Sequence, residues 1–436
     1  MKKLYFCARD IHDYLVAVKN IDKLNLPDVA SFNPALLDLP IVQKILGSIS
    51  LGKDDGEIFF ETGIEGLRLD FNCGLRLDVP AGNFRVRISD FDSGIIFFDR
   101  DISDVRLISV EKYFIRWQVE IFRDGKKIFM HTLDLSGQKV LVVFNEKCGL
   151  GDTLANLPFA EEFRKTFNCR VVISLPENLR GLAKNLYPAL KQVDKIDFKT
   201  YATYYLMINF GDFPTVPADV RNAPLNKVAS VILGLNAIAP KPIFKPTEGR
   251  ICVEPYVCIG VQASTPKKGW LYPSGWKIIV DYLKSLGYRV FCIDKEKFQR
   301  DGKYSVTIPN NAENFTGDFS IMERANMLYH AEFFIGLSSG LAWLANTVNC
   351  PVVMICGFSQ DWHEFYAPYR VANRLVCNGC FSDIRVRAFE NFCPYQKNTA
   401  RELECQKKIS PRQVINAIER LIIDKDLTPP IFLFRR

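Results

Sequence analysis

A chain of 436 residues with 48% hydrophobic and 24% charged residues has ordinary globular composition and is too long for one core, so two or three domains are expected. The formal net charge of +7 is mild and no dense Lys/Arg run occurs, which excludes a nucleic-acid-binding signature but suits a phosphorylated small ligand. Charges return at Arg9 and Asp10 before an apolar leader forms, and no run approaches the roughly 20 apolar residues of a membrane span; a soluble, cytoplasmic protein is expected.

In chain order, a short amphipathic stretch near Asp10–Lys23 precedes a Pro- and Leu-containing connector. From Glu57 to about Gly137 the pattern turns to β. Leu67–Phe71 and Phe84–Ile88 alternate, and Tyr113–Phe122 with Lys127–His131 reads as a hairpin around Arg123-Asp124-Gly125. Short strands broken by Gly, Asp and Asn predict a small antiparallel sheet or barrel over residues 1–138.

At Lys139 the rhythm changes. Val140–Phe144 is a continuous apolar run, as in a strand covered on both faces. A Gly-containing turn and a helix follow, then strand Arg170–Leu175, helix Asn178–Leu190 and strand Tyr204–Phe210, a parallel α/β unit placed at 139–248. Pro240, Pro242 and Pro246 mark a linker. A second α/β series occupies 249–436, with strands Tyr256–Val261, Tyr288–Ile293, Glu332–Leu337 and Pro351–Ile355 and helices near Pro273–Leu286, Ser320–His330 and Gly340–Val348. Two doubly wound Rossmann-like domains behind a β-rich domain fit a GT-B glycosyltransferase, among other two-domain folds.

Three strand exits carry candidate chemistry. Lys147-Cys148-Gly149-Leu150-Gly151-Asp152 joins the first buried strand to its helix. Asp152 either caps that helix or serves as a general base toward an alcohol. After Val261, the loop Gln262-Ala263-Ser264-Thr265-Pro266-Lys267-Lys268-Gly269-Trp270 offers Lys267 or Lys268 to a departing diphosphate, against the plain reading of a solvated lysine pair. Gly336-Leu337-Ser338-Ser339-Gly340-Leu341 turns from strand to helix and presents free amides and hydroxyls, an anion site that many such turns imitate.

The chain has 13 cysteines, an odd number. Cys252, Cys258, Cys292, Cys350 and Cys356 lie in apolar strands and read as small buried hydrophobes. Cys377 and Cys380 form a C-x2-C knuckle in polar sequence, with Cys393 and Cys405 following; four such thiols suit a closed tetrahedral structural site for zinc or iron.

Taken together, these residues resemble the bacterial autotransporter heptosyltransferase family, related to the lipopolysaccharide heptosyltransferases. The most specific segments are Tyr369–Cys380, Cys393-Pro394-Tyr395 and Glu402–Cys405; Leu150-Gly151-Asp152, Thr316-Gly317, Ser339-Gly340-Leu341 and Asp70–Arg76 add to them. The resemblance implies an N-terminal β-rich, barrel-like domain fused to GT-B, with a C-terminal four-Cys finger at 377–405. It implies an ADP-glycero-manno-heptose donor, serine acceptors on autotransporter passenger repeats, one structural iron ion per subunit, no catalytic metal, and a dodecameric homo-oligomer. By motif, Asp152 is the base, Gly151 and Thr153 bind substrate, Lys268 contacts the donor phosphates, and Thr316, Gly317, Ser338, Ser339, Gly340 and Leu341 line the ADP site. Ser338 stands where the lipopolysaccharide enzymes usually carry Asp. A lipopolysaccharide-core transferase and a non-catalytic autotransporter-binding assembly protein are the alternatives.

Overall fold

The computed structural model describes residues 1–7, 40, 43–44, 56–144, 148–196, 199–206, 219–236, 238, 241–302, 304–383, 385–386 and 393–433. The amphipathic stretch at Asp10–Lys23, Lys147, Pro240 and the end of the strand expected at Tyr204–Phe210 lie outside them.

The strands, in chain order, begin with β1 Lys2–Phe6, β2 Phe60–Glu61, β3 Arg68–Asn72, β4 Arg76–Val79, β5 Phe84–Asp90, β6 Ile96–Ile102, β7 Val105–Ser109, β8 Trp117–Arg123 and β9 Lys126–Thr132. The first α/β unit adds β10 Lys139–Phe144, helix α1 Leu150–Thr166, β11 Arg170–Ser174, α2 Arg180–Leu186, β12 Lys191–Gln192, β13 Ala202–Leu206 and α3 Val228–Ile232. The second unit is β14 Tyr256–Gly260, α4 Gly275–Ser285, β15 Arg289–Cys292, β16 Phe298–Asp301, β17 Tyr304–Thr307, β18 Glu313–Asn314, α5 Ile321–His330, β19 Phe334–Leu337, α6 Gly340–Thr347, β20 Val352–Ile355 and β21 Tyr369–Val371, closed by α7 Glu404–Lys407, α8 Pro411–Asp424 and α9 Pro430–Leu433. Among the described residues no helix is long and apolar enough to cross a membrane.

The N-terminal strands do not form a barrel of their own. Five of them join the first α/β unit in one nine-stranded sheet, ordered β1-β7-β4-β3-β13-β10-β11-β12 with β2 on β3, and β5, β6, β8 and β9 form a separate four-stranded antiparallel sheet. The junction is the parallel pair Ala202↔Phe71 and Thr203↔Asn72. A buried polar clasp fixes it. Asn72 Oδ1 accepts from Thr200 Oγ1 at 2.9 Å and Thr203 Oγ1 at 2.6 Å, and its amide donates to the Thr200 carbonyl at 3.0 Å. Asp70, paired with Arg76 in the same interior, accepts the other Asn72 amide hydrogen at 3.1 Å. With every polar atom of Asn72 used, burial there costs little. The inner face of the four-stranded sheet (Val86, Ile88, Val119, Ile121) shares its core with Phe6, Leu69, Leu77 and Leu107 of the large sheet.

Two expected elements are shorter than predicted. The strand expected from Tyr113 starts at Trp117, because the Phe114 amide is spent on the Ile232 carbonyl at the end of α3, 2.7 Å away. The helix expected to Leu190 ends at Leu186, since Pro188 bars Tyr187 from helical geometry.

The second sheet, β18-β15-β14-β19-β20-β21, is wholly parallel. Its strands are buried on both faces, as their continuous apolar runs predict. Val257, Ile259 and Val261 pack with Ile279, Leu283, Val414 and Ile418 of α4 and α8. Cys258, Phe334 and Met354 face the other way, with Leu328 and Trp343 of α5 and α6, into the same core that supports α1. The two α/β units therefore meet through α1 and α6, and their strand exits open into the crevice between them.

Candidate active site

Gly149 is the N-cap of α1, and Asp152 stands at its third position. Asp152 Oδ2 accepts the Gly149 amide at 3.0 Å. The capping role is thus present; it leaves the second carboxyl oxygen and the environment to consider. Burial pushes the Asp152 carboxyl above its ordinary range, while Lys268 and the Gly149 N–H act to hold it down. Thr153 is buried and its hydroxyl turns back onto the Gly149 carbonyl at 3.3 Å, so it supports the turn and does not face the crevice.

The first turns of α1 and α6 touch through glycine. A Cβ on Gly151 would stand 2.8 Å from Trp343 Cδ1, and one on Gly340 would stand 2.7 Å from Leu150 Cβ. Only a missing side chain on each helix permits this approach. Leu341 is half-buried beside it. Ser339 caps α6 without a side-chain bond, and its hydroxyl is enclosed without a hydrogen-bond partner.

The two lysines after β14 diverge. They sit on a single 3-10 turn, Pro266–Lys268, whose Thr265 cap accepts the Lys267 amide at 3.2 Å. Lys268 acts on Asp152. Lys267 is buried and lines the pocket that holds Cys377, Cys380, Cys393 and Cys405. Both ammoniums lie over the Phe358 ring, at 5.4 Å for Lys267 and 5.8 Å for Lys268.

Under the α6 turn lies a buried polar node that motif reading missed. Ser338 Oγ donates to Glu364 Oε1, as does Ser359 Oγ at 2.7 Å, and Arg370 Nη1 binds Glu364 Oε2 at 2.6 Å. Burial alone would raise the Glu364 carboxyl; Arg370, His363 and the two hydroxyls outweigh it and keep the carboxyl below its usual range. His363 is buried, which lowers it to about 4 against the pull of Glu364, with Lys268 and Arg370 lowering it further. Its Nδ1 has no hydrogen-bond partner. Asp294, at the exit of β15, accepts the Val261 and Gln262 amides at 2.7 and 3.2 Å, and burial raises it to about 6. A signal existed for each: a charged or imidazole side chain directly beyond an apolar strand or inside an aromatic segment.

Thr316 and Gly317 follow β18, the outermost strand of the second sheet. Asn314 Oδ1 accepts the Thr316 amide at 3.0 Å and its hydroxyl at 2.7 Å; Gly317, with φ near +123°, gives its carbonyl to Arg324 Nη2 at 2.9 Å. They share the carboxyl edge of the sheet with Ser338 but stand three strands from it.

The four C-terminal thiols line one pocket. Burial raises Cys380 to about 11 and Cys405 further still, with mutual repulsion among the four adding to it for Cys405. Four thiols beside one ammonium suit, in kind, a thiolate-bound ion. Among the described residues no three Cys, His, Asp or Glu side chains are gathered closely enough to hold one. Cys258, Cys292, Cys350 and Cys356 are buried as expected, and Cys252 is half-buried.

Two family models match the chain: the N-terminal domain of glycosyltransferase TibC over residues 63–125, and glycosyltransferase family 9 (heptosyltransferase) over residues 220–392. The autotransporter heptosyltransferase BAHTCr of Citrobacter rodentium is 39% identical over 375 residues, covering 84% of this chain and 91% of that protein. The autotransporter heptosyltransferase TibC of Escherichia coli is 37% identical over 370 residues, 83% of this chain and 91% of its own. A Burkholderia thailandensis relative, 32% identical over 83% of this chain and 87% of its own, is an inactive autotransporter heptosyltransferase, BimC. The crystal structure of iron-containing dodecameric TibC superposes with a TM-score of 0.81 at 37% identity, over 84% of this chain and 98% of that one. TibC in complex with ADP-D-beta-D-heptose gives 0.80 at 36% identity, over 85% and 99%. The likeness runs through both α/β units and the strands before them, and the chain belongs to the autotransporter heptosyltransferase family of glycosyltransferases.

Proposed function

We propose that this protein moves a heptose from ADP-glycero-manno-heptose to serine hydroxyls of an autotransporter passenger, in the cytoplasm and with inversion at the anomeric carbon. The observation that carries the reading is the glycine contact between the first turns of α1 and α6, which brings Asp152 of one α/β unit within electrostatic reach of Lys268 of the other. Asp152 takes the proton of the acceptor hydroxyl as its oxygen attacks in line. Its raised carboxyl makes it a stronger base than an exposed aspartate. Lys268 and the amides at the start of α6, around Ser338–Leu341, stabilise the ADP that leaves. Gly151 and Gly340 let the first turns of α1 and α6 touch, which sets Asp152 close to the amides at the start of α6. Thr316 and Gly317 complete the nucleotide end of the same sheet edge. ADP-heptose bound to TibC, at 36% identity, supports the donor.

Cys377, Cys380, Cys393 and Cys405 would hold an iron ion, which would supply a structural cross-link within the segment 377–405; the iron in TibC supports this reading. No step of the transfer is routed through it. A dodecamer is proposed on the same likeness.

The test is the intact mass of a passenger co-expressed with the wild-type protein or with Asp152→Ala in a host that makes ADP-heptose. Increments of whole heptose units with wild type alone support the reading; loss of a general base costs about 10²–10⁴-fold in rate. The inactive relative favours one alternative, a binding role without transfer. Passenger captured but unmodified by the wild-type protein would establish that instead, and modified lipopolysaccharide core would identify the other acceptor.

A further inference from the structure

Resting on Lys268 as the donor-side cation, we propose that the thiol-lined pocket and the donor crevice are one mechanical unit, and that Gln406 is the positioning residue joining them. Gln406 follows Cys405 directly and is fully buried. Its side-chain amide donates to the Lys267 carbonyl, and its own carbonyl accepts the Leu271 amide at 3.1 Å. It therefore holds the turn Pro266–Lys268 at Lys267 and the chain just beyond it at Leu271. Trp270 Nε1 adds a third tie, to the Ile409 carbonyl at 2.8 Å.

The opposite wall of the pocket reaches the same lysines. The Gly379 amide donates to the Gly357 carbonyl at 2.8 Å and the Phe381 amide to the Phe358 carbonyl at 3.1 Å, so the Cys380 segment is stitched to the residues after β20. Phe381 packs on Phe358 at 5.1 Å, and Phe358 carries both ammoniums. Gly357 lies so close to Cys405 that a Cβ there would stand 2.6 Å from its carbonyl. Consecutive lysines thus share one turn and one aromatic ring: Lys267 lines the thiol pocket, and Lys268 lies within electrostatic reach of Asp152. Whatever holds the thiol segments in register holds Lys268 in register too, and ADP affinity follows from it.

Gln406→Met is the informative change. It keeps the length of the side chain and removes both the donor to Lys267 and the enclosed Oε1, which has no partner. Removing a partnerless acceptor limits the loss of stability, whereas the Lys267 carbonyl loses its restraint. The probe is ADP, titrated calorimetrically into the full chain as purified, for wild type, Gln406→Met, Lys268→Met and the double variant. We expect Gln406→Met to weaken ADP binding about tenfold, with KM for the donor rising more than kcat falls, and to have no further effect once Lys268 is gone. Equal weakening in both backgrounds marks a purely structural role and overturns the proposal. So does unchanged affinity in Gln406→Met when Lys268→Met binds poorly, an outcome that leaves the donor-site reading standing. If Lys268→Met binds ADP like wild type, the donor-site reading itself falls and this inference with it. Trp270→Phe, which deletes the tie to Ile409 together with the part of the ring packed on Trp276 and Gly275, enters the same cycle should Gln406→Met fail to fold.

Discussion

Gly340→Ala tests whether the approach of α1 and α6 sets the geometry of transfer. The new Cβ would lie 2.7 Å from Leu150 Cβ, with Leu150 Cγ and Cδ2 at 3.1 and 3.2 Å. Carbon atoms rest about 3.5–4.0 Å apart, so the helices must separate by roughly 0.8 Å or more. The first obstacle is a Cβ, fixed to its backbone, and no rotamer change of Leu150 relieves it. Overpacking of this kind costs about 1–3 kcal/mol. The larger effect is on catalysis, because Asp152 rides on α1 and the diphosphate-facing amides on α6; displacement of about 1 Å between reacting groups lowers rates ~10²-fold. Initial rates of heptose transfer at saturating donor, beside a thermal midpoint, read both effects. Gly181→Ala is the control: that glycine lies in α2, and nothing stands within 4 Å of the place its Cβ would take. It should leave the rate alone and stabilise by about 0.4–1 kcal/mol. A folded Gly340→Ala protein with a wild-type rate would refute the argument that this glycine contact positions the chemistry.

Three further outcomes follow from the charges. Asp152 must be ionised to act, and its carboxyl is raised, so kcat/KM should fall on the acid side above the ordinary aspartate range; Lys268→Met removes a downward influence and should move that limb to higher pH, and a shift to lower pH would count against the assignment. Glu364→Ala takes the buried carboxylate from the Arg370 guanidinium, leaving the exposed Asp361 as its counter-ion, and should cost up to about 3–5 kcal/mol in urea unfolding, whereas replacing Glu364 and Arg370 together with apolar side chains should recover much of it. Asp294 is raised to about 6 in the fold against 3.8 ordinarily, so its contribution is fully present below pH 3.8 and is lost as pH rises through about 6. Asp294→Asn should flatten that part of the stability profile, and an unchanged profile would show that another group sets it.

Periodicity made the four inner strands of the second sheet and helices α4 to α6 legible, because those strands are buried on both faces and write continuous apolar runs such as Tyr256–Val261; the short edge strands β18 and β21 and the helix α8 write no such run and were not legible. The site motifs were legible for a related reason: Gly149, Gly151 and Gly340 mark places where backbone needs room. The continuity of the first sheet was not. Strand β3 alternates like any half-buried strand, and nothing in its five residues says that its open edge takes up β13 from over a hundred residues away. The clue lies in Asn72, Thr200 and Thr203, whose polar groups make sense only when brought together. The pairing of Glu364 with Arg370 is likewise absent from the sequence pattern: only tertiary packing brings the two together beneath Ser338.

That node bears on the serine at position 338. The hydroxyl of Ser338, at the head of the α6 turn, donates to Glu364, whose charge Arg370 balances. The carboxylate stands one hydrogen bond behind the turn and is paired, so a diphosphate bound as proposed meets no unpaired charge of like sign there. Two unit charges about 4 Å apart at an effective dielectric constant near 20 repel by about 4 kcal/mol, which makes that arrangement consequential. Ser338→Asp therefore sets two buried carboxyls in hydrogen-bond contact, and one of them must keep a proton. Its folded-state carboxyl is raised, so the variant should nearly match wild-type stability near pH 4 and fall progressively behind it as pH rises toward 8. Urea midpoints across that range decide the matter: a deficit independent of pH would mean that steric crowding, and not the second charge, is what the turn cannot accept.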